Sequence, residues 1–359
     1  MEKNIGFLIT DFNGKGGTER VTSIIANGLK KREYKIYIIS CRNGKNPCYT
    51  VDSDVELLSL QGEKIHNAIS RKWNSFFSLK QYVRKYHIDI MIAVDVMLYL
   101  YLFPLQQTEK CRCIAWEHFN YYDSDKIIYR EIRKFVAKNA DKLVVLGKND
   151  LNNYRKEVGK TINAQYIYNP LPIELTNTYK GASSHKIISV GRLETQKGFD
   201  RLIEVWKLLE NRFPEWELDI VGEGSQRMVL ENKIKQYGLT RIFLKKFSNS
   251  ILEEYDKAAI YALPSRYEGF VLVLLEAQAR RLPCVSFDIK EGPREIISDG
   301  VNGFLVEDGN IEQFADKLRQ LMIDTQLREK FSTMTQKDLA RFETERVVGQ
   351  WENLIEEFF

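Results

Sequence analysis

Proline is scarce, at 8 residues in 359, and glycine adds only 21. That excludes a collagen-like or low-complexity chain, and 44% hydrophobic residues exclude a disordered one. No cysteine pair has metal or redox spacing. Cys41, Cys48, Cys111, Cys113 and Cys284 are odd in number and contain no C-x-x-C, which points to reduced thiols. No apolar run approaches the ~20 residues that cross a bilayer. The most apolar window, 88–105, is broken by Asp89, Asp95 and Pro104, and reads as a strand over 90–94 followed by a short helix. The apolar stretch 5–10 is too short for a signal-peptide core. The expectation is a cytoplasmic protein, at most peripheral on the cytoplasmic membrane face.

An excess of one charge sign is also missing. Lys and Arg number 53 against 49 Asp and Glu, a net +4, too little to imply nucleic acid as a partner. The balance hides two unequal halves. Residues 1–172 carry 27 basic and 18 acidic residues, and the remainder carries 26 and 31. A basic first half and an acidic second half point to different partners.

What is present is alternation. Apolar runs at 5–10, 36–40, 90–94, 113–117, 142–146 and 165–168 predict strands, and 20–31, 67–86 and 129–139 predict helices. Asn169-Pro170-Leu171-Pro172 stops the pattern, and a polar stretch follows. Alternation then restarts, with strands predicted at 186–190, 217–221, 242–244, 259–262, 283–287 and 303–305. Helices are predicted at 199–212, 226–237, 252–258, 271–281 and 311–324. The expected fold class is α/β: two Rossmann-like, doubly wound parallel-sheet domains facing a cleft. The boundaries are 1–172 and 173–344, with a final helix over 345–359 free to pack on either domain.

The chemistry lies in the loops after the strands. Gly191-Arg192-Leu193-Glu194-Thr195-Gln196-Lys197-Gly198 puts two cations between a strand end and a helix start, a good anion site. Gly222-Glu223-Gly224-Ser225 permits a tight turn. Pro264-Ser265-Arg266-Tyr267-Glu268-Gly269-Phe270 precedes the helix that contains Glu276. A buried acid in that apolar helix needs a partner. A pair of ribose hydroxyls would serve, as would an Arg, and an outer face would need none.

This set resembles glycosyltransferase family 4, the retaining GT-B enzymes. The resemblance rests on Glu268 and Glu276 with Gly269-Phe270, on Gly191-Arg192 and Lys197-Gly198, and on Gly222-x-Gly224-Ser225. Glu291-Gly292-Pro293-Arg294-Glu295-Ile296-Ile297 and Asn302-Gly303-Phe304-Leu305-Val306 complete it. It implies that the second half binds a nucleotide-sugar donor, with Arg192 and Lys197 on the diphosphate. Glu276 would hold the ribose. Glu268 and the backbone at Gly269, Phe270 and Val271 would grip the sugar and phosphate. Phe247 would border the base. Val271 departs from the small residue usual there, and Arg280-Arg281 depart from the usual helix end; the first would alter the donor pocket.

In the first half, Gly16-Gly17 opens a helix but fits neither G-x-G-x-x-G nor a Walker A loop. The resemblance places this backbone near the donor phosphate and makes His118 the acceptor-side histidine. Asp52-Ser53-Asp54 and Asp123-Ser124-Asp125 look like metal-binding pairs but read better as turns. No metal or other cofactor is expected, because two cations already face the diphosphate. The stretch 64–85 is basic and aromatic-rich. Either Arg71, Lys72 and Lys80 meet an anionic membrane surface, or the helix simply has a solvated side.

The resemblance implies a retaining, metal-independent glycosyltransferase. It would move a sugar, UDP-linked, to a growing surface glycan on a polyprenyl diphosphate. Other readings are a nucleotide-sugar epimerase or phosphorylase on the same fold, or a catalytically silent glycan- or nucleotide-binding protein.

Overall fold

A computed structural model describes residues 2–60, 68–124, 126–246 and 250–359, with the backbone alone for 68–74. The short apolar runs become strands. In chain order they are β1 Asn4–Ile9, β2 Lys35–Ser40, β3 Glu56–Ser59, β4 Ile90–Val94, β5 Arg112–Trp116, β6 Lys142–Val145 and β7 Ala164–Tyr166. A second series is β8 Lys186–Val190, β9 Glu217–Val221, β10 Ile242–Lys245, β11 Ile260–Leu263, β12 Cys284–Asp288 and β13 Gly303–Glu307. The helices are α1 Gly17–Lys30, α2 Ala68–Lys85, α3 Tyr99–Thr108, α4 Ile127–Asn139, α5 Lys148–Val158 and α6 Phe199–Leu209. They continue as α7 Arg227–Gln236, α8 Ile251–Asp256, α9 Leu272–Ala279, α10 Ile311–Ile323, α11 Thr325–Met334 and α12 Thr344–Glu356.

Contacts divide the chain into one unit of Met1–Pro172 with Arg341–Phe359 and another of Ile173–Ala340. The first holds a seven-stranded sheet in the order β3-β2-β1-β4-β5-β6-β7, and the second a six-stranded sheet in the order β10-β9-β8-β11-β12-β13. Every pairing is parallel. Central strands such as β1 and β4 are buried along their whole length, which requires helices on both faces and explains their unbroken apolar character.

In the first unit, Leu79 and Val83 of α2, Leu102 of α3, Val136 of α4 and Tyr154 of α5 share one core, so these helices cover the same face of the sheet. The opposite face carries α1 with α12 packed on it. The final helix thus belongs to the first unit, where Trp351 meets the ring of Trp116 edge-on at 4.7 Å. Residues 341–344, assigned by sequence to the second domain, also pack with the first. The Phe342 carbonyl accepts from the Leu171 N–H at 2.6 Å, and the Phe342 ring lies 5.0 Å from Tyr168. In the second unit, Trp206, Leu218, Ile260, Val285 and Phe314 lie at the centre of the core.

Three elements escape the periodicity reading: β3, α5 and α11. β3 is short and half-buried, and α5 (Lys-Asn-Asp-Leu-Asn-Asn-Tyr-Arg-Lys-Glu-Val) buries only Asp150, Leu151 and Tyr154.

Candidate active site

In the second sheet the strand order reverses at β8, which lies between β9 and β11. Ligands of open α/β sheets bind beyond the strands' carboxyl ends at such a reversal. The loops leaving β8 and β11 there are residues 191–198 and 264–271. They are stitched together. The Arg266 N–H donates to the Gln196 carbonyl at 2.8 Å, and Gln196 Nε2 donates to the Tyr267 carbonyl at 3.0 Å. The Arg266 guanidinium forks onto both carboxylate oxygens of Asp200, in the first turn of α6, at 2.7 and 2.6 Å. Gly198 has φ +67°, and a Cβ there would overlap the Pro264 carbonyl, so only glycine allows the loops to touch.

This stitching brings two of the predicted site residues into contact. Lys197 Nζ donates to Glu268 Oε1 at 2.6 Å, and Ser265 Oγ donates to the same oxygen at 2.7 Å. Glu268 and Ser265 are buried. Arg192 is exposed and forms an ion pair with no described residue. Glu194, between the two cations, accepts from the Ser225 N–H at 2.9 Å and from its hydroxyl at 2.6 Å. The Ser225 hydroxyl, its N–H and the nearby Arg192 charge hold the Glu194 carboxyl below its usual range. The turn after β9 is thereby closed onto the turn after β8. A Cβ on Gly222 would overlap the Gly191 carbonyl, and one on Gly224 the Leu193 carbonyl.

Glu276 lies on the buried side of α9 and accepts from the Tyr255 hydroxyl of α8 at 2.9 Å. A phenol is thus among its partners, which sequence spacing could not nominate. Gly269, Phe270 and Val271 lead directly into α9, where the Leu274 N–H already donates to the Val271 carbonyl at 3.1 Å while the Leu272 and Val273 N–H groups precede any intrahelical acceptor. The Val271 side chain is buried beside Gly292, its Cγ2 2.7 Å from where a Cβ there would stand. Its bulk therefore meets the loop after β12. Phe247 lies outside the described residues.

In the first unit, β1 and β4 flank the corresponding reversal. Gly16 precedes α1 and Gly17 opens it, with the Glu19 carboxylate folded over Gly14 and Gly16. His118 follows β5. It is buried, its ring centroid is 4.3 Å from that of Trp116, and Nε2 has no hydrogen-bond partner among the described residues. Burial lowers its pKa to about 3, so the imidazole is neutral.

Two acids beside it escape sequence inspection. Glu117 is fully buried, accepting from Arg133 Nε at 2.8 Å, the Tyr154 hydroxyl at 2.7 Å and the Phe119 N–H at 3.0 Å. Asp95 ends β4 with φ +150°, a conformation an L-residue rarely adopts, and accepts from the Met97 N–H at 2.8 Å. Burial, then the Glu117 charge, pushes its carboxyl up to about 6. The available signal was position: a charge immediately after an all-apolar strand at the reversal.

Of the proposed membrane cations, Arg71 and Lys72 fall where only the backbone is described. Lys80 pairs with Glu109 at 2.9 Å, and Arg84 binds the same carboxylate. Asp52 accepts from the Asp54 N–H at 3.0 Å, closing a turn, and Asp54 faces Lys30 at 3.5 Å. Asp123 lies 3.9 Å from Arg133, and Asp125 is outside the described residues.

Known proteins share this architecture along the whole chain. The family described as "Glycosyltransferase Family 4" matches residues 15–175, and "Glycosyl transferases group 1" matches residues 178–338. An uncharacterized glycosyltransferase of Haemophilus influenzae is 30% identical over 98% of this chain and 100% of its own. The chain therefore belongs to the family 4 glycosyltransferases, of GT-B type. A Campylobacter jejuni relative is 25% identical over 98% of both chains; it is named as an alpha-1,4-N-acetyl-D-galactosaminyltransferase acting on a diNAcBac-PP-undecaprenol glycan. Among solved structures, Anabaena HepE in complex with UDP superimposes with a TM-score of 0.81 at 17% identity, covering 99% of this chain and 100% of that one.

Proposed function

We propose that this glycosyltransferase takes a UDP-sugar donor and extends a lipid-linked glycan, with retention at the anomeric carbon, in the assembly of a bacterial surface polysaccharide. The observation that carries the reading is the joined loop pair at the β8/β11 reversal, with Arg192 exposed beside the Lys197–Glu268 contact. The named acceptor of the Campylobacter relative and the UDP bound by HepE support the choice of substrates.

In this reading Arg192 and Lys197 neutralise the diphosphate, with the backbone at Gly191, Gly222 and Gly224 close by. Glu276 holds the ribose through the carboxylate oriented by Tyr255. Glu268 and the 269–271 backbone hold the sugar and its phosphate. Phe247 borders the base. His118 offers its neutral imidazole to the acceptor. The acceptor hydroxyl attacks the anomeric carbon on the face the diphosphate leaves, and a phosphate oxygen takes its proton. Catalysis is then electrostatic, from cations and first-turn N–H groups directed at the leaving group. No metal is required, since the cations carry the charge. The first unit is the acceptor side and the second the donor side; the enzyme works as a peripheral protein at the cytoplasmic membrane face.

The experiment pairs thermal-shift screening of nucleotide sugars with UDP release in the presence of undecaprenyl-diphosphate glycans. UDP binding and acceptor-dependent UDP release, undiminished by EDTA, support the reading. Acceptor-independent turnover would point to an epimerase, and phosphate dependence to a phosphorylase. An inverted product anomer would overturn retention.

A further inference from the structure

Apolar side chains left in water cluster at one place on the first unit. α4 opens with Ile127-Ile128, which are 76% and 62% exposed. At 3.6 residues per turn, Ile127, Ile128, Glu131, Lys134, Phe135 and Lys138 share one face of α4, while Arg133, Val136 and Ala137 are buried on the other. Phe135 on that outer face is also exposed. A helix that follows a parallel strand begins at the carboxyl end of the sheet. Ile127 and Ile128 therefore lie at the end of the sheet where β5 delivers His118. Exposed Phe119, in the same connection, and Leu100, in the first turn of α3, lie at that end too.

Basic residues outnumber acids around this patch. Lys126 precedes it, Arg130 and Lys134 flank it, and Lys138 follows one turn on. The only acid of α4, Glu131, is paired to Lys134 at 2.8 Å. Lys126 and Lys138 are exposed and form an ion pair with no described residue. α2 differs, because Glu109 engages both Lys80 and Arg84. Packing cannot explain the isoleucines, since neither supports the core. A large apolar patch rimmed by cations is the pattern of a surface that enters the boundary of an anionic bilayer.

We infer that the first turn of α4 is a membrane wedge: Ile127 and Ile128 insert into the acyl boundary of an anionic bilayer while Lys126 and Lys138 meet its phosphates. The inference deepens the membrane-side acceptor reading and replaces α2 with α4 as the contact. It puts the bilayer at the end of the first sheet where His118 follows β5. It does not depend on the donor or on the reaction.

Flotation of the full chain with vesicles tests it. Vesicles of phosphatidylcholine mixed with phosphatidylglycerol are compared with phosphatidylcholine alone, at low and high salt. The wild type should float with the anionic vesicles and retain part of its binding in high salt. Ile127→Asp/Ile128→Asp should lose about tenfold or more of that binding, with an unchanged circular dichroism spectrum. Lys80→Glu should bind within about twofold of wild type, because Glu109 already neutralises its site. A wild type that stays unbound, or an Ile127→Asp/Ile128→Asp protein that floats equally well, overturns the wedge. A change of the double variant from dimer to monomer by light scattering, with vesicle binding intact, would assign the patch to a second copy of the chain instead. UDP binding in the same variants reads out the donor reading separately.

Discussion

Lys197 and Glu268 are 71 positions apart in sequence, yet the ammonium donates to the carboxylate at 2.6 Å because β8 and β11 are neighbours in the second sheet. Each holds the other's charge in a largely buried place. Side-chain exposure is 15% for Lys197 and 6% for Glu268. Neither residue is therefore a free surface charge that a mutation removes without structural cost.

Substituting Lys197→Ala removes the cation from the buried Glu268 carboxylate and leaves the Ser265 hydroxyl on it. The expected loss is on the order of 2–4 kcal/mol of stability, read by urea denaturation, together with a large fall in turnover. Adding Glu268→Gln should restore most of the stability and none of the activity. Arg192→Ala breaks no described ion pair. It should unfold at the wild-type urea midpoint while turnover falls by about a hundredfold.

Arg266 and Asp200 hold the two loops from outside that pair. A lysine at position 266 keeps the charge but loses the two-pronged hydrogen bond. Arg266→Lys should cost about 1 kcal/mol of stability and lower kcat about tenfold through displacement of Lys197 and Glu268. Equal kcat values for the variant and the wild type in steady-state assays would remove the clamp from the mechanism.

Tyr255 orients the buried Glu276 carboxylate through one hydroxyl. Tyr255→Phe keeps the ring and removes the donor. Under the ribose reading, the dissociation constant for UDP should rise about fivefold to tenfold, and Glu276→Gln should weaken it at least as much. Calorimetric titration with UDP measures both, and unchanged affinity in Glu276→Gln would take that residue out of the nucleotide site.

His118 and Asp95 give opposing pH dependences. Burial lowers the histidine to about 3 in the fold, from 6.5, so below pH 6.5 the unfolded chain binds the proton first. Stability is then lost as pH falls from about 6.5 toward 3. Asp95, raised from 3.8 to about 6, binds its proton first in the folded state. Its contribution is favourable at low pH and is lost as pH rises from about 4 through 6. Each pKa unit corresponds to ~1.4 kcal/mol, which sets a ceiling of a few kcal/mol for either group. Denaturation midpoints measured from pH 4 to 7 should show a flatter acid limb for His118→Gln. Asp95→Asn should raise the midpoint near pH 7.

Much of this molecule was legible from local pattern. The runs at 90–94, 186–190 and 217–221 coincide with β4, β8 and β9, because a strand buried on both faces is mostly apolar; the buried Asp219 of β9 is the exception and is paired with Lys186 and Lys245. Glycine-containing turns, and acids placed just before or inside a helix, marked the second-unit loops for the same local reason. β3, α5 and α11 were illegible, since short or largely polar elements owe their form to neighbours rather than to their own periodicity.

The sequence by itself determined two parallel α/β sheets in series, the order of the loops at their carboxyl ends, and membership in a glycosyltransferase family. Tertiary structure alone decided the partners. It put Lys197 on Glu268, Tyr255 under Glu276, Arg133 and Tyr154 on Glu117, and Trp351 behind Trp116. It also decided which apolar residues stayed in water, leaving Ile127 and Ile128 exposed at the start of α4. The physical reason is range. Periodicity and turn chemistry act over a few residues, whereas a charge's partner and a side chain's burial depend on which strands become neighbours after crossovers of tens of residues.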